Sequence, residues 1–133
     1  MLEFKIALKA IIQKDGKILA LKRSNSEEVF TELWDIPGGR INFGEKPVEA
    51  LVREVMEETG LTVKVNPRPW TIWSFMANEN KQVVGITMLA DYVEGKVKLS
   101  EEHTEYRWIL PAEFTELNAD PSLKAEIAKF VEQ

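Results

Sequence analysis

A densely acidic stretch that reads as a helix constrains this chain more than any other part of its sequence. Glycine, arginine and glutamate recur at fixed spacing between Gly39 and Leu61, a span of 23 residues. If the middle of this span is helical, Glu54, Glu57 and Glu58 stand at i, i+3 and i+4 on one face. Ionised carboxylates that close repel one another, so the arrangement favours binding of a hard cation such as Mg²⁺.

The same segment carries the period of an amphipathic helix. An apolar stripe at i, i+3, i+4 and i+7 is formed by Val48, Leu51, Val52 and Val55. Pro47 suits a helix start and Gly60 a left-handed helix end. We therefore predict a helix over about 46–59, with its apolar side on a sheet and its acidic side towards a cleft. A solvated face with ion pairs is the weaker alternative, because Arg53 is the one nearby cation.

These residues resemble the Nudix box, Gly-x5-Glu-x7-Arg-Glu-U-x-Glu-Glu-x-Gly-U, where U is aliphatic. Every constrained position is met, by Gly39, Glu45, Arg53, Glu54, Val55, Glu57, Glu58, Gly60 and Leu61. The flanking segments 33–39 and 102–108 also look like the family, and the resemblance covers essentially all 133 residues. It implies one Nudix hydrolase domain over residues 1–133, of the α/β class, built as an α/β/α sandwich around a central mixed sheet.

The acidic residues and the resemblance together predict a metal site. Oxygen ligands suit Mg²⁺, with Mn²⁺ as a substitute, and a chain with no cysteine and one histidine disfavours zinc. The predicted carboxylate ligands are Glu54, Glu57 and Glu58. The resemblance adds the backbone carbonyl of Gly38, and it implies that Arg53 and Glu45 hold the acidic helix against the loop that contains Gly39. The plainer alternatives are a surface ion pair from Arg53 to Glu49 or Glu57 and a simple tight turn at the glycines.

A further carboxylate is expected from the loop before the last strand. Glu102 lies where this family often carries a metal-binding or base carboxylate, and the resemblance makes it both a metal ligand and a catalytic candidate. Glu101 and Glu105 lie close to it in the sequence and are alternatives for the same role. The general base stays open between Glu54 and Glu102, and Arg53 completes the predicted catalytic set. We favour a metal role for Glu54 on the rigid helix, and we expect substitution of Glu102 to lower rate more than metal binding.

The remaining polar and aromatic candidates are weaker. His103 is the one histidine, and a lone loop histidine is more often structural or solvated than in contact with substrate. Trp34 and Trp108 lie in strand-like runs typical of a core. Trp73 and Phe75 fall near the strand that borders the expected cleft, where stacking on a base and ordinary packing both stay open. Trp70 belongs to the same group.

Turn signals and alternation predict the rest of the fold. Residues 14–17 and 78–81 indicate the turns of two hairpins. Pro67 and Pro69 indicate an edge strand or a loop. We also predict a polar loop over 24–32, a last strand from Tyr106 and a closing helix from Pro121. Exposed edge strands of such a sheet favour a homodimer.

Composition narrows the class of partner. The net charge of −5 argues against binding to a nucleic-acid polymer, which relies on clustered lysine and arginine. No run approaches the roughly 18 apolar residues of a membrane span, and no signal-peptide pattern is found, so a cytoplasmic location is the default expectation. The expected partner is a small nucleoside diphosphate derivative.

The function that the resemblance implies is Mg²⁺-dependent hydrolysis of a diphosphate linkage. The compact length favours a MutT-like pyrophosphohydrolase acting on a nucleoside triphosphate or another nucleoside diphosphate linked to a group X. Residues 76–79 carry neither the proline nor the tyrosine that flags some substrate subclasses of the family. The alternatives are hydrolysis of ADP-ribose, another sugar nucleotide or a pterin triphosphate, and a catalytically silent Nudix module that binds a nucleotide. A silent module would be expected to lose metal ligands, and this box has lost none.

Overall fold

Seven strands and three helices make up the part of the chain that the computed structural model describes, residues 1–24 and 33–131. The strands are β1 (Glu3–Lys14), β2 (Lys17–Arg23), β3 (Trp34–Asp35), β4 (Gly38–Arg40), β5 (Thr62–Asn78), β6 (Lys81–Glu94) and β7 (His103–Ile109). The helices are α1 (Pro47–Thr59), α2 (Pro111–Phe114) and α3 (Pro121–Val131). The loop predicted at 24–32 lies, apart from Ser24, outside the described residues.

The strands form one mixed sheet, as the sequence predicts. Its order is β3-β2-β1-β6-β5, with β4 also paired to β1 and β7 to β2. The pairing of β1 with β6 is parallel, whereas the other pairings are antiparallel. Neighbouring strands in such a sheet lie about 4.8 Å apart, so β5 lies two spacings, about 10 Å, from β1.

Side chains that alternate along β1 pack into a hydrophobic cluster on each face of the sheet. Leu8 and Ile12 are fully buried in the cluster that contains the apolar residues of α1. Ile11 points the other way, into the cluster formed with α2 and α3. Successive strand residues face opposite sides, so one strand packs against both helical layers. This arrangement confirms the predicted α/β/α sandwich.

Both predicted hairpins form. At the first turn Asp15 has φ 51° and Gly16 has φ 79°, the left-handed pair that a two-residue turn between twisted strands requires. β5 and β6 form the second hairpin, and β5 is an edge strand. The strand register shifts between Val65 and Pro69, which is how an edge strand accommodates prolines that donate no hydrogen bond.

Helix α1 begins and ends at the predicted signals. Pro47 occupies the first turn, and Gly60 caps the C-terminus with φ 74° while its N–H donates to the Met56 carbonyl. Leu51 and Val55 are fully buried against the sheet, and Glu58 is buried with them. Within the described residues, no helix has both the length and the apolar character needed to cross a membrane.

Candidate active site

An arginine fork ties the loop before α1 to the helix itself. Arg53 donates from Nε to Glu45 Oε2 at 2.7 Å and from Nη2 to Glu45 Oε1 at 2.8 Å. The backbone N–H of Asn42 donates to the same Glu45 Oε1 at 2.8 Å. The Arg53 hydrogen bonds, followed by that of Asn42, lower the pKa of Glu45 to about 2. A two-point bond of this kind fixes geometry as well as charge.

Arg53 also holds two of the box carboxylates. Its Nη1 donates to Glu54 Oε1 at 2.9 Å and to Glu57 Oε1 at 3.1 Å, and its Nη2 reaches the carbonyl of Arg40 at 3.2 Å. The hydrogen bonds to Glu45 and then Glu54 raise the pKa of Arg53. Arg53 is therefore bonded both to Glu45 of the loop and to Glu57, whose side chain is 57% exposed, and its predicted catalytic role stays a prediction.

Glu54 lies against the backbone of β4 at a glycine. A Cβ atom on Gly39 would stand 2.2 Å from Glu54 Oε2, so any larger residue there would displace the carboxylate. Burial is the main cause that raises the pKa of Glu54, partly offset by the Arg53 hydrogen bond. The negative charges of Glu57 and Glu102 raise it further, so these side chains lie near one another.

The deepest carboxylate of the site is Glu58, whose residue is 7% exposed. The backbone N–H of Gly38 donates to Glu58 Oε1 at 2.8 Å. Burial raises the pKa of Glu58 to about 8. The hydrogen bond from Gly38 lowers this pKa, and the neighbouring Glu102 raises it. The buried carboxyl of Glu58 is thus held close to the exposed carboxylate of Glu102, which disfavours having both ionised without a cation between them.

Glu102 reaches Glu58 because β7 pairs with β2. The carbonyl of Glu102 accepts a hydrogen bond from the Ser24 N–H at 2.9 Å, and the Ser100 N–H donates to the Glu58 carbonyl at 3.3 Å. One potential ligand atom from each of Glu58, Glu102 and His103 lies within 4.8 Å of the others. Strand pairing therefore brings together residues that are 44 positions apart in the sequence.

His103 is the residue of this group that the sequence undervalued. Its Nδ1 is buried and has no hydrogen-bond partner among the described residues. Burial lowers the pKa of His103, which favours the neutral imidazole that can bind a metal. Its position directly after Glu102 indicated that it could lie near the metal site. Neither the start of β7 nor its pairing with β2 could be read from the sequence.

These donors fit a divalent cation. Two carboxylates and the neutral imidazole of His103, whose buried Nδ1 is unpaired, form an oxygen-rich set with one nitrogen, and its carboxylates suit Mg²⁺ or Mn²⁺. Glu54 and Glu57 turn towards Arg53 instead. Gly38 contributes its N–H to Glu58, and the predicted ligand role of its carbonyl stays a prediction, as do the other predicted ligands.

The described residues also form a cavity of about 350 Å³, which Glu58, Glu102 and His103 do not line. One side carries the basic side chains of Lys5, Lys9, Arg23 and Arg40. Lys9 Nζ donates to both oxygens of Asp35, at 2.7 and 2.8 Å. The charge of Lys9 also lowers the pKa of Glu58, so the basic side of the cavity adjoins the carboxylate cluster. The arrangement can hold a polyphosphate next to a bound cation.

Comparisons with known proteins agree with this geometry. A family model described as NUDIX domain matches residues 5–133. An ADP-ribose pyrophosphatase from Methanocaldococcus jannaschii is 35% identical over 126 residues, covering 95% of this chain and 70% of that protein. A nucleoside triphosphatase from Escherichia coli, NudI, is 31% identical over 76% of this chain and 78% of its own length. The crystal structure of a MutT protein from Methanosarcina mazei Go1 matches with a TM-score of 0.84 and 30% identity, covering 98% of this chain and 95% of that chain.

Proposed function

The chain belongs to the Nudix family of hydrolases, and from that membership we propose that it is a Mg²⁺-dependent pyrophosphohydrolase. Its proposed substrate is a nucleoside triphosphate or another nucleoside diphosphate linked to a group X. The observation that carries the proposal is the cluster of Glu58, Glu102 and His103, which lies within electrostatic range of Lys9, a basic residue that lines the cavity. A diphosphate bond is cleaved where negative charge on its oxygens is neutralised and a water is activated.

The chain supplies the residues for both tasks. The proposed metal ligands are the Gly38 carbonyl, Glu54, Glu57, Glu58 and Glu102, with His103 as an added candidate. Bound Mg²⁺ would neutralise the phosphates and lower the pKa of a coordinated water. Arg53 and Glu45 keep the carboxylates of α1 in place through the fork described above.

The basic side of the cavity supports a polyphosphate substrate. Arg23 and Lys9 both lie at Asp35, with Arg23 Nη1 at 3.8 Å and Lys9 Nζ at 2.7 Å from Asp35 Oδ2. Asp35 therefore restrains the side chains of Lys9 and Arg23 at the edge of the cavity, where a bound phosphate could replace part of their contact with Asp35. Arg40 brings a further cation from β4, the strand whose backbone bonds to Arg53.

ADP-ribose is the second candidate substrate. The archaeal relative named for that activity is 35% identical over nearly the whole of this chain. Residues 76–79, however, lack the proline that flags ADP-ribose hydrolases of the family. We therefore rank nucleoside triphosphates first.

The test is product release from a panel of nucleoside triphosphates and ADP-ribose, with Mg²⁺ and with excess EDTA. We expect a triphosphate to yield a monophosphate and pyrophosphate in Mg²⁺ and nothing in EDTA. Full turnover in excess EDTA would contradict the metal requirement. If ADP-ribose alone is hydrolysed, the second candidate replaces the first. If no member of the panel is cleaved, the proposed activity is wrong.

A further inference from the structure

The cavity has a flat aromatic floor two strands away from its basic side. The indole of Trp73 lies over Gly85, where a Cβ atom would stand 2.1 Å from the ring. Its Nε1–H donates to the buried Thr87 hydroxyl at 3.1 Å. The Phe75 ring is parallel to it within 7°, with the two centroids 6.0 Å apart. A planar ring of a ligand could stack on this floor, since base–aromatic stacking contributes about 1–3 kcal/mol.

A carboxylate of α3 is bonded to the strand that carries that floor. Glu126 of α3 lines the cavity and is half-buried. The hydroxyl of Thr71 donates to Glu126 Oε1, and the indole N–H of Trp70 donates to the Glu126 carbonyl at 3.4 Å. The side chain is therefore anchored to β5 through one oxygen, which leaves Oε2 available as an acceptor.

Glu126 also differs from the other acidic side chains of the site in its partners. Asp35 pairs with Lys9, and Glu45, Glu54 and Glu57 pair with Arg53. Asp120, the other carboxylate that lines the cavity, accepts hydrogen bonds from the backbone N–H and the hydroxyl of Ser122. In the chain as described, no lysine or arginine forms an ion pair with Glu126. An ionised carboxylate only accepts hydrogen bonds, so a ligand group placed against Glu126 is favoured when it donates.

We propose that Glu126 is a specificity residue that selects nucleobases carrying an exocyclic amino group over uracil and thymine. This inference rests on the proposed function, because it assumes that the phosphates lie at the basic side and the base at the aromatic floor. Cytosine and adenine present an amino donor on the edge where uracil and thymine present the O4 carbonyl, and guanine presents its amino group on the opposite edge, from C2. A carbonyl facing Glu126 would set two acceptors against each other and leave both unpaired.

The test compares substrates that differ at the amino group. dCTP and dUTP form one pair, with an amino group against a carbonyl, and dGTP and dITP form another, with and without the amino group. In each pair that is hydrolysed, we expect kcat/KM to favour the amino-bearing member by about 10- to 100-fold. In Glu126→Gln that preference should fall below about threefold, because an amide can also donate to a carbonyl. Glutamine keeps the size of the side chain and an acceptor for Thr71.

Two controls separate this role from a structural one. Glu116→Gln removes the same charge from an exposed position that does not line the cavity, and it should keep the wild-type preference. Calorimetric binding of dCMP and dUMP gives a reading that does not depend on hydrolysis. We expect the wild type to bind dCMP more tightly than dUMP, and Glu126→Gln to show no such preference.

The outcomes distinguish the two proposals. Equal hydrolysis within both pairs, or an unchanged preference in Glu126→Gln, would overturn the assignment of Glu126 while the proposed hydrolase stands. A preference for dCMP that Glu126→Gln abolishes, together with no hydrolysis of any nucleotide, would support the assignment and overturn the activity.

Discussion

Glu54 and Glu102 approach the buried Glu58 from different elements, and this difference bears on which of them activates water. Glu54 is held on α1 by Arg53 and lies against Gly39, whereas Glu102 places a carboxylate oxygen within 4.8 Å of one from Glu58. The sequence favours a metal role for Glu54 and a rate role for Glu102. The geometry favours the reverse, with Glu54 as the base and at most a minor ligand among those proposed, because Glu102 shares the cluster with Glu58, while burial gives Glu54 the raised pKa that suits a base.

We therefore predict different kinetic signatures for Glu54→Gln and Glu102→Gln. The first should lower kcat by at least about 10²-fold, equivalent to roughly 2.7 kcal/mol, with little change in the Mg²⁺ concentration for half-maximal rate. The second should raise that Mg²⁺ concentration about tenfold or more. The measurement is a Mg²⁺ titration of activity for each variant. The opposite pair of results would restore the assignment that the sequence favours.

At the scale of elements, the Arg53–Glu45 fork joins α1 to the loop that precedes it. The contribution of this fork to the free energy of unfolding should depend on pH. The folded protein lowers the pKa of Glu45 from its usual 4.5 to about 2. A lowered pKa stabilises the fold fully above the unfolded value, and the stabilisation is lost as pH falls from about 4.5 through 2. The difference in unfolding free energy between wild type and Glu45→Gln should therefore be largest near neutral pH and shrink as the pH falls from about 4.5 towards 2.

Urea unfolding between neutral and acidic pH measures this difference. Glu49→Gln is the matched control, since Glu49 is an exposed acid in the first turn of the same helix. Its effect on stability should vary less with pH. A Glu45→Gln difference that stays constant down to acidic pH would show that the fork does not hold Glu45 ionised.

Elements with local signals were predictable, and contacts between distant elements were not. Pro47, Gly60 and the apolar stripe defined α1 to within a residue, and the Asp15–Gly16 turn defined the first hairpin. These signals work because capping and turn geometry depend on neighbouring residues. The approach of His103 to Glu58 depends on the pairing of β7 with β2, which no local pattern specifies.

The aromatic residues illustrate the same limit. Trp70 and Trp73 looked equivalent in sequence, yet Trp70 packs edge-on against Phe130 while Trp73 lies over Gly85 in the cavity. The difference comes from the register of β5 on β6 and from a shift at Pro69. A register change moves a side chain to the other face of a sheet, so the floor of the cavity could not be assigned from alternation alone.

At the scale of the whole molecule, the site holds the buried carboxyl of Glu58 close to the carboxylate of Glu102, and metal binding between them should therefore stabilise the fold. A ligand that binds only the folded state at 100 times its dissociation constant adds about 2.7 kcal/mol. For a chain of 133 residues this corresponds to an increase in Tm on the order of 10 °C. We expect Mg²⁺ to raise the Tm of the wild type relative to EDTA by an amount of this order when the site is saturated.

Glu58→Gln should separate the two effects of the buried carboxylate. Without metal its Tm should equal or exceed that of the wild type, because the amide replaces a carboxyl whose ionised form is disfavoured by burial and by Glu102. With Mg²⁺ its Tm should rise much less, and kcat should fall by at least about 10²-fold. Differential scanning calorimetry with Mg²⁺ and with EDTA measures both temperatures, and Glu49→Gln, on the same helix, should respond like the wild type. A Mg²⁺ shift in Glu58→Gln as large as that of the wild type would place the metal away from Glu58, and with it away from Glu102 and His103.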